Sequence, residues 1–426
     1  MTTSWKSSVI SESHMRPSAI EIRSADFDQS TAERIVEQLR YGVPPPEHVR
    51  AFTVGRGAQL RALEDSLGHP SDGKGSALLV KANYGSGKSH LLKVVREMAL
   101  QAGYAVSLVV IDAQGGVRFN RMDTIFGAIC RELEVANQPE KGIGALFDAF
   151  ANTAGSGMPR ELQRIRERIS SNGKWDLSDF LKSPALYVAL RAWVKSGTQE
   201  VRDLVSDWFE NPANYRGQRK RLYSGLVESL RGSFRDTRRE WQFYADEVFA
   251  FHTGGHRQAW DALADFHTLA LAAGLRGFVL LFDEFEDVIQ NLNRRNLQEA
   301  AFLNLFRFFD GDRFPGMSYF AVTPDFVAKC KTELLHRGVY DFDYRRFDHL
   351  PFFEMEPIQR REFADLARRI RAVYGTAYDT KAERLVSDRN LDRVVDDLWT
   401  VRSPDRVRRA IQGVVKSLDD GMDERD

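Results

Sequence analysis

Cysteine is nearly absent from this chain, since Cys130 and Cys330 are the only two among 426 residues. Neither lies beside another cysteine or a cluster of histidines, so the sequence indicates neither a disulfide framework nor a zinc site. No stretch approaches the ~18 consecutive apolar residues of a membrane-spanning helix. The first residues are polar and lack the pattern of a secretion signal, so we expect a cytoplasmic protein without a membrane partner.

Net charge is also lacking, because 60 Lys and Arg balance 60 Asp and Glu. No overall positive field draws such a chain to nucleic acid, so any DNA contact must come from a local basic patch. The candidate is Arg216 to Arg239, with eight basic and two acidic residues. A basic amphipathic helix there could meet DNA phosphates or an acidic partner, and a solvated helix face explains it equally well.

What the chain does have is a loop, Ala82 to His90 (ANYGSGKSH), between an apolar run and a helical pattern. Glycines in such a loop let backbone N–H groups surround an anion, the lysine reaches the outer phosphates, and the serine hydroxyl can bind Mg²⁺. The full pattern opens with Gly, and here that position is alanine. The sequence therefore predicts ATP and Mg²⁺ as ligands, with a chance Gly-Ser loop as the alternative. The candidate nucleotide-binding residues are Ala82, Asn83, Tyr84, Gly85, Ser86, Gly87, Lys88, Ser89 and His90, of which Lys88 is also a catalytic candidate and Ser89 a metal ligand.

A second motif lies far downstream, at Phe278 to Glu284 (FVLLFDE). Five apolar residues predict a buried strand, and two acids stand at its carboxyl end. This is typical of a Walker B element, in which Asp283 would hold Mg²⁺ through water and Glu284 would orient the water that attacks the terminal phosphorus. A core strand ending in solvated carboxylates is the alternative. The pair of motifs favours hydrolysis, with Glu284 as the leading catalytic candidate.

The segments VGRGAQL, ANYGSGKSH, FVLLFDE, FAVTP and SPDRVRR occur in this order and resemble the AAA+ ATPases, within them the initiator and helicase-loader group. The combination of LRYGVPPPEHVRAFTVGR with NYGSGKSHLLKVVRE looks most like the ATP-binding proteins of bacteriophage-exclusion (BREX) defence systems. This resemblance spans most of residues 30–415. It implies an α/β fold: a P-loop (AAA+) core with a parallel sheet, a large helical insertion and a C-terminal helical lid.

The resemblance also implies roles for residues outside the two motifs. Thr323, after the strand Met317 to Val322, fits a sensor near the γ-phosphate, although a turn or N-cap threonine explains it as well. Tyr41 to Pro46, together with Val54, Gly55 and Arg56, would border the adenine. Arg406, or the arginines that follow it, would close onto the phosphates as a second sensor.

Arg345 and Arg346 could serve as an arginine finger that reaches the nucleotide of a neighbouring subunit. Pairing with Asp341, Asp343 or Asp348 is the alternative explanation for both arginines. The finger role would require a homo-oligomer or a larger defence complex.

The pattern along the chain predicts five segments. These are a flexible arm (1–29), a linker helix with the first part of the core and the P-loop (30–138), a mainly helical insertion (139–255), the second part of the core (256–356) and the lid (357–426). Within them we expect a helix capped by Ser30 or Thr31, a strand at Val106 to Ile111 and a helix over Asp123 to Glu134. Core packing explains the scattered tryptophans in or beside the insertion better than base stacking does; these are Trp175, Trp193, Trp208, Trp241 and Trp260.

Two functions remain open on the sequence alone. The first is a DNA-associated ATPase, a motor or loader in antiphage defence. The second is a scaffold or switch that binds ATP and recruits an effector without touching DNA.

Overall fold

The computed structural model describes residues 27–43, 45, 48–68, 74–83, 86–111, 117–153, 155, 157–170, 181–215, 218–227, 248–249, 256–290, 292, 294–400 and 406–424. Tyr84 and Gly85 of the predicted phosphate loop, most of the predicted N-terminal arm and much of the basic segment 216–239 lie outside these residues.

A six-stranded sheet forms the centre of the protein, in the order β3-β2-β4-β5-β1-β6. Its strands are β1 Ser76–Lys81, β2 Ala105–Val110, β3 Leu133–Glu134, β4 Phe278–Asp283, β5 Met317–Val322 and β6 Phe352–Glu354. Neighbouring strands are parallel except β2 and β3, which are antiparallel. The predicted α/β fold is thus confirmed.

The predicted parallel sheet has one antiparallel strand, β3, and the helix predicted over Asp123 to Glu134 is wrong at its end. That helix ends at Arg131, and the next residues pair with β2, Leu133 opposite Ser107. The side chains explain the change of structure: Leu133 is fully buried in the core, and Glu134 forms an ion pair with Arg96 across the sheet edge. The sheet is therefore mixed.

Helices cover both faces of the sheet, which is why β4 is buried at all six positions and is apolar nearly throughout. The helices are α1 Gln29–Arg40, α2 Gly57–Gly68, α3 Lys88–Gln101, α4 Met122–Arg131, α5 Ile143–Asn152, α6 Arg160–Ser170, α7 Pro184–Ser196, α8 Gln199–Glu210, α9 Arg219–Leu222, α10 His256–Ala272, α11 Asp287–Gln290, α12 Arg295–Asp310, α13 Phe326–His336, α14 Arg345–Asp348, α15 Arg360–Ala377, α16 Ala382–Leu385, α17 Asp388–Trp399 and α18 Arg406–Asp423. Short 3₁₀ turns occur at Val49–Phe52 and Pro212–Tyr215, and a π-helical turn at Tyr223–Val227.

Two cores lie on the sheet itself. On one face, α2 and α3 pack against alternate residues of β1, β4 and β5, such as Val80, Leu281 and Tyr319. On the other face lies a larger core that extends into helices α4 to α10 and includes Trp193, Trp208 and Trp260. Core packing is thereby confirmed for these three tryptophans.

A third core joins the two ends of the described chain. The buried face of α1, including Ile35 and Leu39, packs with residues of α15, α17 and α18 rather than with the sheet. The N-cap of α1 is Asp28, whose side chain accepts a hydrogen bond from the Thr31 N–H at 2.7 Å, so the predicted cap at Ser30 or Thr31 is wrong. We call this group of helices, α1 with α15 to α18, the end unit.

Candidate functional site

A cleft of about 560 Å³ opens between the carboxyl edge of the parallel strands and the end unit. Ligands of open α/β sheets bind at this edge. One wall of the cleft is polar, with Arg56, Ser86, Gly87, Lys88, Ser89, His90, Asp283, Glu284, Glu286 and Asp287. The other wall is largely apolar, with Leu39, Gly42, Val43, Pro45, Phe52, Thr53, Val54, Ile358, Leu366, Val407, Arg408 and Ile411.

The described part of the phosphate loop connects β1 to the first turn of α3. Ala82 is buried, and its N–H donates to the Val322 carbonyl at 3.1 Å, so the loop leaves the sheet in register with β5. Asn83 is exposed at the loop, and its carbonyl accepts from the Ser86 N–H at 3.2 Å. Gly87 has a φ of +92°, a conformation that disfavours residues with a Cβ, and α3 begins directly after it. The first turn of α3 thus faces the cleft, as an anion site at a helix N-terminus requires.

Lys88 lies in the first turn of α3 and is only 8% exposed. Its ammonium forms an ion pair with the carboxylate of Glu286, which also lines the cleft. Sequence analysis did not identify Glu286, although it stands two residues after Glu284 in an acid-rich segment. This ion pair joins the phosphate loop to the segment that directly follows the acidic motif.

The two predicted acids of the second motif differ in their surroundings. Asp283 ends β4, is 7% exposed, and its Oδ1 accepts a hydrogen bond from the Glu284 N–H at 2.9 Å. Glu284 is exposed to the cleft and has a φ of +53°, which is uncommon for a residue other than glycine. The chain after it is anchored, because the Phe285 N–H donates to the Ala321 carbonyl at 3.1 Å. The turn therefore separates a buried carboxylate from one that faces the cleft.

The residues present suit Mg²⁺. Ser89 and Asp283 both line the cleft and offer oxygen donors, which Mg²⁺ prefers, and this ion is usually held by one or two protein ligands with waters and substrate phosphates completing its shell. Across the described ranges there is no cluster of three His, Cys, Asp or Glu that would form an all-protein metal site. The donor set therefore fits a metal ion that is shared with phosphates.

His90 connects the phosphate loop to the segment 51–56, which we call the linker strap. The Thr53 hydroxyl donates to the Val49 carbonyl at 3.1 Å, so the contact of 2.9 Å between that hydroxyl and His90 Nε2 needs the proton on the imidazole. Burial, with the charges of Arg56 and Lys93, lowers the pKa of His90 to about 4. His90 is thus a neutral donor to the strap at neutral pH.

Arg56 also ties the strap to the loop. Its guanidinium donates to the Ser86 carbonyl at 3.0 Å and to Gln59 at 3.2 Å, and burial lowers its pKa. Gly55 has a φ of +69°, and a Cβ there would lie 2.0 Å from the carboxyl carbon of Glu362 in α15. The strap is therefore confined between the phosphate loop and the end unit.

The apolar wall contains several of the residues that the resemblance placed at the adenine. Gly42, Val43, Pro45 and Val54 lie on this wall, whereas Arg56 lines the polar one. Tyr41 is 70% exposed, and Pro44 and Pro46 lie outside the described residues. A cleft that is apolar on one side and charged on the other matches a molecule with a flat base and a phosphate chain.

Thr323, the predicted sensor residue, is not among the residues that line the cleft. The Thr323 carbonyl accepts from the Phe326 N–H at 3.1 Å, and a hydrogen bond from Lys329 lowers the pKa of Asp325, as in a turn that starts a helix. Thr323 still directly follows Val322, which bonds to Ala82.

The two candidate finger arginines stand on α14. The Arg346 guanidinium pairs with Asp310 at 2.8 Å and lies 4.2 Å from the centre of the Phe306 ring. The alternative explanation, a pairing with Asp341, Asp343 or Asp348, is therefore wrong for this guanidinium. Arg345 is exposed, and its backbone N–H donates to Asp343 at 3.3 Å. The structure does not bring either arginine to the cleft of this chain.

Of the arginines near the start of α18, Arg408 lines the cleft and Arg406 stacks on the Trp399 ring at 4.1 Å. The segment predicted to hold the second sensor therefore reaches the cleft, and the arginine that lines the cleft is Arg408 rather than Arg406. A Cβ on Gly42 would lie 2.5 Å from Arg408 Cγ, so α1 and α18 meet at this point of the wall.

The fold and the cleft define an α/β protein whose phosphate-type loop and acidic strand end face each other at the carboxyl edge of a sheet. The model of one protein family, the BREX system ATP-binding protein BrxC/D, matches residues 28–183 and 250–424. The chain belongs to this family, and the resemblance to BREX ATP-binding proteins is confirmed. Searches of curated proteins and of solved structures found no match. Among the described residues no helix is long and apolar enough to cross a membrane.

Proposed function

We propose that this protein is an AAA+ ATPase that hydrolyses ATP with Mg²⁺ and couples hydrolysis to DNA or to a DNA-processing partner in BREX defence. The observation that carries the proposal is the cleft, in which Lys88, Ser89, Asp283 and Glu284 line one polar wall opposite an apolar one. Membership of a family of ATP-binding BREX proteins supports the substrate and the setting.

Each polar residue has a role that suits its position. The N–H groups of the first turn of α3 and the Lys88 ammonium would hold the β- and γ-phosphates. Mg²⁺, held by Ser89 and through water by Asp283, would neutralise charge on those phosphates. Glu284, exposed to the cleft beside the buried Asp283, would orient the attacking water. The adenine would lie against Val43, Val54 and the apolar residues of the end unit.

The test of hydrolysis is Glu284→Gln, which keeps the shape of the side chain and removes its negative charge. We expect the ATPase rate to fall about 100-fold or more, as for loss of a general base, while ATP still binds. Glu333→Gln is the matched control, because Glu333 pairs with Arg337 on α13 and does not line the cleft. An unchanged rate in Glu284→Gln would refute the assignment.

The proposed coupling to DNA is supported by the described part of the basic segment. Lys220 and Arg221 are exposed on α9, while Leu222 on the same short helix is buried. If this face binds DNA, affinity should fall steeply with salt, and Lys220→Glu with Arg221→Glu should weaken binding and flatten the salt slope. No DNA binding at low salt would instead favour the ATP-dependent switch that recruits an effector.

We also propose the five-segment division of the chain. The residues between the two regions that match the family, 184–249, fall inside the predicted insertion 139–255, whose residues 139–183 belong to the first matched region. An arginine finger from Arg345 or from Arg346 would require a homo-oligomer or a partner subunit, and Arg345→Ala should then lower ATPase activity only in the assembled state.

A further inference from the structure

Glu286 is a half-buried acid of the cleft whose side chain pairs with Lys88. Its side chain is 17% exposed, and one carboxylate oxygen forms the ion pair with the Lys88 ammonium. Its other oxygen, Oε2, is buried and has no hydrogen-bond partner in the described part of the chain. A buried carboxylate with one unsatisfied oxygen is a costly arrangement, so this contact depends on Lys88.

Lys88 has one ammonium, and the outer phosphates of a nucleotide would need it. A carboxylate and a phosphate are both anionic, and although an ammonium has three N–H donors, the two groups compete for its single positive charge. Two anions cannot share this poorly solvated site without repulsion. Binding of the phosphates must therefore weaken or break the pair between Lys88 and Glu286.

The backbone on both sides of Glu286 is held by packing and hydrogen bonds. Phe285 is fully buried, and its ring lies 4.7 Å from Phe119 and 4.9 Å from Phe320. On the other side, the Asp287 N–H donates to the Glu284 carbonyl at 3.0 Å and α11 begins. A transfer of Lys88 from carboxylate to phosphate would therefore involve the Glu286 side chain rather than the strand.

We propose that Glu286 acts as an internal phosphate surrogate: it neutralises Lys88 when the cleft holds no nucleotide, and it lowers the affinity for ATP and ADP by competing for this lysine. The inference rests on the proposed function, since it names a positioning residue of the same site. Its consequence is easier release of the nucleotide after hydrolysis. Glu284 and Glu286 then have separate roles, one towards water and one towards the lysine.

The test is Glu286→Gln, which keeps the volume of the side chain and removes its charge. We expect the Kd for ATP and for ADP to fall at least about tenfold, the equivalent of one hydrogen bond to a charged group. AMP, which lacks the outer phosphates, should bind as it does to the unchanged protein. The nucleotide-free variant should melt at a lower temperature, because Lys88 loses its partner, and ATP should raise its Tm by more than it raises that of the unchanged protein.

Two further variants make the result decisive. Asp287→Asn removes a negative charge from the next residue, which also lines the cleft, and should tighten ATP much less. Glu286→Asp keeps the charge but withdraws it by one methylene, so it should tighten ATP to an intermediate degree, and it carries the test if the glutamine variant does not fold.

Unchanged or weaker ATP binding in both Glu286 variants would overturn the inference. An equal gain in ATP affinity in Asp287→Asn would also overturn it, because any lost negative charge in the cleft would then have the same effect. A purely structural role would lower the melting temperature without tightening ATP. If the unchanged protein bound neither ATP nor ADP, the proposed function itself would be refuted, and the inference with it.

Discussion

A methyl group added at Gly55 should disturb the packing of the linker strap between the phosphate loop and the end unit. Its φ of +69° is unfavourable for alanine by about 1 kcal/mol. A Cβ would also overlap Glu362, lying 2.2 Å from its Oε1. The Glu362 carboxylate accepts from the Gln359 N–H at 2.7 Å in the capping box of α15, and loss of this cap costs about 1 kcal/mol. We expect Gly55→Ala to lower the free energy of unfolding by about 2–3 kcal/mol.

Gly103→Ala is the matched control for this change. Gly103 has a φ of +84°, and no atom lies within 4 Å of a Cβ built there. Its cost is therefore that of the backbone conformation alone, about 1 kcal/mol. Adding Glu362→Ala to Gly55→Ala should remove the overlap, so the two changes together should cost less than the sum of their separate effects.

Denaturant unfolding and ATP titration measure the two consequences. Because Arg56 follows Gly55 and holds the Ser86 carbonyl at 3.0 Å, a displaced strap should also weaken ATP binding about tenfold, and Gly103→Ala should not. Equal losses of stability in the two glycine variants, with unchanged ATP affinity in both, would refute the reasoning, since the strap would then not be packed against Glu362.

Two other predictions concern the walls of the cleft. Arg408→Ala should weaken ATP binding several-fold in a titration. Arg406→Ala should mainly lower the free energy of unfolding, by about 0.5–1 kcal/mol, because its stacking on an aromatic ring is lost. If Arg406→Ala weakened ATP binding more than Arg408→Ala, Arg406 would be the residue at the phosphates. His90 has a pKa of about 4 in the folded protein, below its ordinary value of 6.5. Between pH 6.5 and 4 the imidazole is therefore protonated in the unfolded chain but neutral in the folded one. Stability should therefore fall as the pH is lowered through this range, and His90→Gln should make that fall shallower in unfolding curves; an equally steep fall would show that His90 is not the group responsible.

The sequence predicted the elements whose signals are local. The strand Met317–Val322 was expected at the bounds that the structure shows, because a short apolar run follows a glycine and precedes Thr323 and a proline. Ser89 and Asp283 were expected at one site because a phosphate loop and an acidic strand end meet at the carboxyl edge of a parallel sheet. Such signals depend on a few neighbouring residues.

Other features depend on contacts that no local pattern contains. β6 was not predicted, since its three residues are partly or fully exposed and too few to show alternation. The partner of Lys88 is 198 residues away in the chain, and Asp310 reaches Arg346 from a different helix. The fold determines which charged side chains come within reach of one another. The sequence therefore shows which residues are charged but not which of them pair.

The linker strap is the element through which the two sides of the cleft can affect each other. Arg369 of α15 donates to the carbonyls of Ala51 at 2.8 Å and of Thr53 at 3.1 Å, which fixes the strap to the end unit. On the other side, Arg56 bonds to the Ser86 carbonyl and His90 to the Thr53 hydroxyl. Any movement of the phosphate loop on binding or losing a nucleotide must stretch these hydrogen bonds or carry α15 with it. The end unit is therefore the part of the fold in which we expect a partner to sense the nucleotide.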